Sequence, residues 1–169
     1  MNFGDWGREQ LWGRAGSPTR LMLTMGQILD DNFRVAVKSL SEIDDVLASI
    51  EEFGQWHKLP VEIVFHLQLA CDELLTNAVS YGFPDGHPPQ IYLLISRKNN
   101  TIEAEIVDNG IPFNPLAQSE PDLTSSLDDR KIGGLGIHFI RTVISDLKYH
   151  RTEGWNHIEM VLPIPSDFP

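Results

Sequence analysis

The stretch ACDELLTNAVSYGF, residues 70–83, decides how this chain is read, because it places a carboxylate and an amide, Glu73 and Asn77, in a helix that otherwise looks buried. Upstream, Pro60 stands where a first helical turn accepts proline, and Val64, Leu67, Cys71, Leu74, Ala78 and Tyr81 recur at alternating spacings of three and four. That stripe predicts the core face of a long helix, closed by Gly82 and the turn-rich FPDGHPP. Glu73 and Asn77 share a second face with His66 and Ala70, about 100° around from Leu74, so they border the core face.

Further upstream, FRVAVKS (33–39) alternates as a strand with one wet face. SLSEIDDVLASIEEFGQW (39–56) predicts an amphipathic helix with Ser41 as N-cap, Ile43, Val46, Leu47, Ile50 and Phe53 as its apolar face, and Gly54 as its end. Downstream, QIYLLIS and TIEAEIVD read as two strands joined through RKNN. Residues 109–131, with Pro112, Pro115 and Pro121, form a connection too long for ordinary linkage, and loops of that length usually cover a site or are disordered. GGLGIHFIRTVISDL predicts a helix with a glycine-rich first turn and Ile137, Ile140, Val143 or Ile144, and Leu147 on its apolar face. LKYHRT and HIEMVLPI follow as strands around the turn EGWN.

Strand, helix, helix, two strands, long loop, helix, two strands is the order of an α+β fold. The expectation is a two-layer sandwich of helices on one face of a mixed sheet, not a doubly wound parallel sheet. Residues 1–30, with scattered glycines and Trp6 and Trp12, read as an N-terminal extension, either a flexible tail or a partner-docking arm. Residues 31–165 then form the domain proper.

Composition narrows the function. At 169 residues, 41% hydrophobic and 22% charged, the chain suits one folded domain. Its net charge of −11 opposes both a polyphosphate backbone and an anionic membrane, so direct nucleic-acid and membrane partners are not expected. Cys71 is the single cysteine, which leaves no disulfide framework or cysteine zinc site. No signal-like or membrane-spanning stretch stands out, and the expected location is the cytoplasm.

Three stretches could carry chemistry. Glu73 could accept a proton from an attacking hydroxyl, and Asn77 could ligate a hard metal through its amide oxygen; the same pair could equally be solvated, or Asn77 could cap a neighbour. In IVDNGIPF, Asp108 ends a strand as an acceptor for the exocyclic amine of a base, with Gly110 allowing a flat ring near the backbone, or the stretch is merely a turn. In KIGGLGIHFI, Gly133, Gly134 and Gly136 open a helix whose free N–H groups favour phosphate, or they are a flexible hinge. The spacing is neither a dinucleotide fingerprint nor a P-loop. In chain order these supply a base with a metal ligand, an adenine acceptor, a lid and a phosphate loop, which is the plan of a nucleotide site.

With those residues in place the chain resembles the ATPase superfamily of gyrase, the histidine kinases and MutL. Glu73 to Asn77 corresponds to its N box, Asp108-x-Gly110 to its adenine box, and Gly133-Gly134-x-Gly136 to its glycine box. DNGIPFNPL and IGGLGIHFIRTVISDLKYHRTEGWN are closer still to the small anti-sigma-factor serine/threonine kinases, over roughly residues 30 to 163. The resemblance implies ATP and Mg²⁺ as cofactors, with Asn77 on the metal, Asp108 on the adenine amine, Glu73 as general base, and the loop 112–136, Leu135 included, closing over the phosphates. It implies a serine or threonine of an anti-anti-sigma factor as phosphoacceptor, a sigma factor as sequestered partner, and a possible homodimer. Arg130 and Lys131 could neutralise phosphate charge there, or be an exposed pair.

One departure concerns Glu159, in NHIEMVL, where these kinases usually carry a threonine near the adenine-binding Asp. It could repel the nucleotide, raise a pKa or point outward. Of the six histidines, His66 and His138 alone stand near site residues, and Cys71 falls on the core stripe. Two other functions fit the sequence: a nucleotide-gated binding module without phosphotransfer, and a detached histidine-kinase catalytic domain.

Overall fold

In the computed structural model, which describes residues 27–29, 31–117, 135–144 and 146–166, burial alternates residue by residue along β2 (Asn32–Val37). Phe33, Val35 and Val37 point into the core while Arg34 and Ala36 do not. β1 (Gln27–Leu29), inside the stretch read as an extension, pairs with β2. A 3-10 turn at Leu40–Glu42 then leads into α1 (Ile43–Trp56). Ser41 does not cap this helix: its hydroxyl meets that of Ser39, and the Glu42 carboxylate instead accepts the Lys38 N–H at 2.8 Å.

Gly54 does not end α1 either. A Cβ there would lie 2.4 Å from a methyl of Val64, so the glycine lets two helices touch. The stop comes at Lys58, held in the left-handed region at φ 50, with Lys58 N–H bonded to the Gln55 carbonyl and Leu59 N–H to that of Gly54. Those two bonds are a Schellman motif built without glycine.

α2 (Val61–Tyr81) buries Ile63, Leu67, Ala70, Cys71, Leu74 and Leu75. Ala70 therefore belongs to the core and not to the polar stripe, whereas Tyr81 is exposed at the helix end. β3 (Ile91–Lys98) and β4 (Thr101–Asp108) form the expected hairpin, turning on Asn99 at φ 51 and Asn100. α3 (Leu135–Val143) buries Ile137 and Ile140. β5 (Asp146–Thr152) and β6 (Trp155–Pro163) close the fold. Their turn is only Glu153–Gly154, both at positive φ, so Trp155 and Asn156 of the expected turn belong to a strand.

The sheet runs β1-β2-β3-β4-β6-β5. Every pairing among the described strands is antiparallel, so the sheet is not mixed. Helix residues share one core with every second residue of the four central strands: Phe33 and Val35, Leu93 and Ile95, Ala104 and Ile106, Ile158 and Met160. Full burial of each such large aliphatic or aromatic side chain contributes about 1.5–3 kcal/mol. The opposite face is not uniformly wet, since Leu94, Val107, Glu105 and His157 are buried there beside Tyr92 and Trp155.

Candidate nucleotide site

Parity along β4 puts Asp108 on the helix side of the sheet, in phase with Ala104 and Ile106. It is 5% exposed. Its Oδ1 accepts the Gly110 N–H and the Asn156 side-chain N–H, each at 2.8 Å, while Oδ2 accepts from no described group. Burial raises the Asp108 carboxyl above its ordinary range; the bonds from Asn156 and Gly110 and the charges of Arg151 and His157 partly oppose this. The result is a shielded acceptor with one oxygen committed.

The turn after Asp108 is fastened to the end of α2. Ile111 N–H donates to the Gly82 carbonyl at 2.8 Å, and a Cβ on Gly110 would stand 2.7 Å from that same oxygen. Gly110 thus makes room for the close approach of the end of α2. On the far side of the turn, His87 bridges the Asp85 carboxylate and the Asn109 carbonyl, while Gln90 N–H bonds the Asn109 side chain at 2.9 Å.

Along α2, the Asn77 amide donates to Glu73 Oε1 at 3.0 Å, leaving the Asn77 oxygen without a described donor. Both side chains are half-buried. Gly136, in the first turn of α3, packs directly on Glu73: a Cβ there would fall 2.3 Å from the Glu73 carboxyl carbon. Glu73 of α2 and Gly136 of α3 therefore meet side by side. Leu135 opens α3. Arg130, Lys131, Gly133 and Gly134 lie outside the described residues.

Residues 36–162, most of the chain, match the family described as the histidine kinase-like ATPase domain. The chain belongs to that family. It is 34% identical over 116 residues to the serine/threonine-protein kinase BtrW of Bordetella bronchiseptica, covering 69% of this chain and 82% of the relative. It is 30% identical over 100 residues to the serine-protein kinase RsbW of Listeria monocytogenes, covering 55% and 62%. Among solved structures, one of the RsbU and RsbW domains of a Mycobacterium tuberculosis protein superposes with a TM-score of 0.57 at 13% identity, over 90% of this chain and 35% of that one. This last likeness is one of fold.

Among the three readings of Glu159, the register selects the one in which it points outward. Asp108 lies opposite Asn156, and Glu159 lies opposite Glu105 and Lys148, three residues away and on the other face of the sheet. Its Oε1 lies 3.6 Å from His150 Nδ1. The Glu159 side chain is on the face of the sheet opposite Asp108 and does not face it.

Sequence reasoning does not pick out Asn156, because EGWN reads as a turn, or Arg151, because LKYHRT reads as an ordinary strand. The available signal was parity: Asn156 is in phase with the apolar Ile158, Met160 and Leu162, so a polar residue stands at an inward position. Arg151, its cross-strand partner, donates to the Gly110 carbonyl at 3.0 Å. Of the histidines near the site, His66 keeps the stripe of Glu73 and Asn77 on α2, and His138 sits half-buried in α3. Cys71 is fully buried, which pushes its thiol well above the usual range and leaves no nucleophile there. No cluster of three or more His, Cys, Asp or Glu able to hold a metal occurs among the described residues. Among them, too, no helix is long and apolar enough to cross a membrane.

Proposed function

We propose that this chain is a cytoplasmic ATP-dependent protein serine/threonine kinase of the anti-sigma type. In this reading it phosphorylates a serine or threonine of an anti-anti-sigma factor and, in its other state, sequesters a sigma factor. The observation that carries the reading is the contact of Glu73, hydrogen-bonded to Asn77, with Gly136 at the start of α3. A proton acceptor there stands beside a helix N-terminus whose free N–H groups suit phosphate.

The residues fit the cofactors. The uncommitted Oδ2 of Asp108 suits an adenine amine, and the uncommitted amide oxygen of Asn77 suits Mg²⁺, which takes few protein ligands and several from phosphate. When bound, Mg²⁺ supplies charge neutralisation on the phosphates. The chain's own part is positional: Asn77 orients the Glu73 carboxylate through its N–H, and Glu73 takes the proton of the acceptor hydroxyl as its oxygen bonds to the γ-phosphorus and ADP leaves. Gly133, Gly134, Leu135 and Gly136 contribute backbone N–H groups, and Arg130 and Lys131 contribute positive charge to the phosphates. Similarity to the kinases BtrW and RsbW supports protein phosphorylation, and the partner proteins and a possible homodimer are part of the same proposal.

The test is transfer from labelled ATP to a candidate anti-anti-sigma protein, with Glu73→Gln alongside. Acid-stable label on the partner, lost in the variant, is expected. Tight nucleotide and partner binding without label would make the chain a nucleotide-gated binding module, and acid-labile label would make it a histidine-directed enzyme.

A further inference from the structure

One rung of the sheet carries Asp108, Asn156 and Arg151 on β4, β6 and β5 in turn. Asn156 is 1% exposed, and every hydrogen-bonding position of its amide is filled. Its oxygen accepts from Arg151 Nη1 at 2.6 Å and from the Tyr149 hydroxyl at 3.0 Å. Its nitrogen donates to Asp108 Oδ1 at 2.8 Å and to the Ile111 carbonyl at 2.9 Å. A half-turn of the amide would set its oxygen against a carboxylate and a carbonyl and its nitrogen against a guanidinium. The partners therefore permit one orientation.

That orientation has a chemical consequence for Asp108. With the Gly110 N–H also on Oδ1, this oxygen has two donors and is turned away from further use. Only Oδ2 remains; burial raises the pKa of this carboxyl, and the two donors on the opposite oxygen together with the Arg151 charge oppose that rise and act for the ionised form. An ionised carboxylate with one free oxygen offers the pocket an acceptor and nothing else. A 6-aminopurine presents a donor there; a 6-oxopurine presents an acceptor, which a fixed acceptor repels.

We propose that Asn156, locked by Arg151 and Tyr149, is a positioning residue that sets the base specificity of the pocket for a 6-aminopurine nucleotide over its 6-oxo counterpart. This rests on the reading of Asp108 as the base acceptor. Arg151 has a double part in it, because the same Nη1 that holds Asn156 also holds the Gly110 carbonyl, and so fixes the turn carrying the Gly110 donor.

The test compares ATP with inosine triphosphate, which differs at position 6, by titration calorimetry with Mg²⁺ on the full chain. The variants are Asn156→Leu, Arg151→Met and Tyr149→Phe, with Arg151→Lys as a partial rescue. Wild type is expected to prefer ATP by about tenfold or more. In Asn156→Leu the ratio should approach one, and in Arg151→Met it should fall several-fold, with Arg151→Lys between. A merely structural role would weaken both nucleotides alike and leave the ratio unchanged, which would overturn the proposal. Should Asn156→Leu not fold, Arg151→Met at an exposed edge-strand position and Tyr149→Phe, each removing one donor, decide it by the same ratio. Wild type binding both nucleotides equally would overturn the specificity role alone, whereas wild type binding neither would overturn the nucleotide site as well.

Discussion

Asp108 sits where burial penalises its charge, and this makes it a group whose removal should strengthen the fold while removing function. Its folded pKa is raised, so the carboxyl costs stability at any pH above that value, and the cost is relieved as pH falls through it toward the unfolded value. Asp108→Asn keeps an oxygen for the Gly110 and Asn156 donors but presents N–H to the pocket. The nucleotide-free variant is expected to melt above wild type near neutral pH. Its ATP affinity should fall at least about tenfold, read by calorimetry, because donor would face donor. Gly136 gives the converse case. A methyl there must displace the Glu73 carboxylate, which is the end of a flexible side chain and can swing aside. Gly136→Ala is therefore expected to change melting little and to lower phosphotransfer by about tenfold or more. Equal activity in the variant would separate Glu73 from the reaction. Both residues were legible as residues, but their contacts were not. Glu73 and Gly136 are 63 positions apart, and no spacing along the chain reports that two helices bring them together.

At the scale of elements, the loop between α2 and β3 is tied to the Asp108–Gly110 turn by His87. Nδ1 faces the Asp85 carboxylate and Nε2 faces the Asn109 carbonyl, so only the protonated ring can donate to both at once. The hydrogen bond to Asp85 raises the His87 pKa above 6.5 and lowers that of Asp85 below 3.8. The His87 contribution is full below 6.5 and is lost as pH rises through the folded value; that of Asp85 is full above 3.8 and is lost as pH falls through its folded value. Amide exchange at Asn109 and Gly110 should accordingly be slowest between those limits and quicken on the alkaline side. His87→Gln is expected to flatten that dependence, and a profile unchanged by the substitution would detach the clamp from the turn. Local elements were legible wherever one rule acted alone, as in the alternation of β2 or the paired runs of β3 and β4. They misled where tertiary contact outranked local signal. Gly54 reads as a helix stop, yet its missing Cβ serves Val64, and the stop falls on Lys58, a residue no sequence rule marks for positive φ. Asn156 reads as part of a turn because the two residues at positive φ, Glu153 and Gly154, already complete it.

At the scale of the molecule, the order of elements announced the layered α+β architecture, because hydrophobic period switches between two and 3.6 at each boundary. Strand direction was legible where a short connection makes a hairpin, as in β3–β4 and β5–β6, but not for β2 against β3 or β4 against β6, whose connections are long enough to allow either direction. Nor was the site as a whole, which needs α2, β4, β6 and the start of α3 at once. A ligand bridging such elements binds only the folded chain, and so stabilises it by mass action, about 2.7 kcal/mol at a hundredfold excess over Kd. For a chain of this length that corresponds to a rise of roughly 5–10 °C. The net charge of −11 opposes approach of a polyanionic triphosphate, so the rise should depend on a divalent cation more steeply than in a basic protein. ATP with Mg²⁺ is expected to give the full shift in a thermal melt, ATP with a chelator less than half of it, and Asn77→Ala a small shift under either condition. A full shift that survives chelation would remove the cation from the site. A chelator-sensitive shift that survives Asn77→Ala would keep the cation and move its ligand elsewhere, because the long-range repulsion is common to both proteins and only the amide oxygen differs.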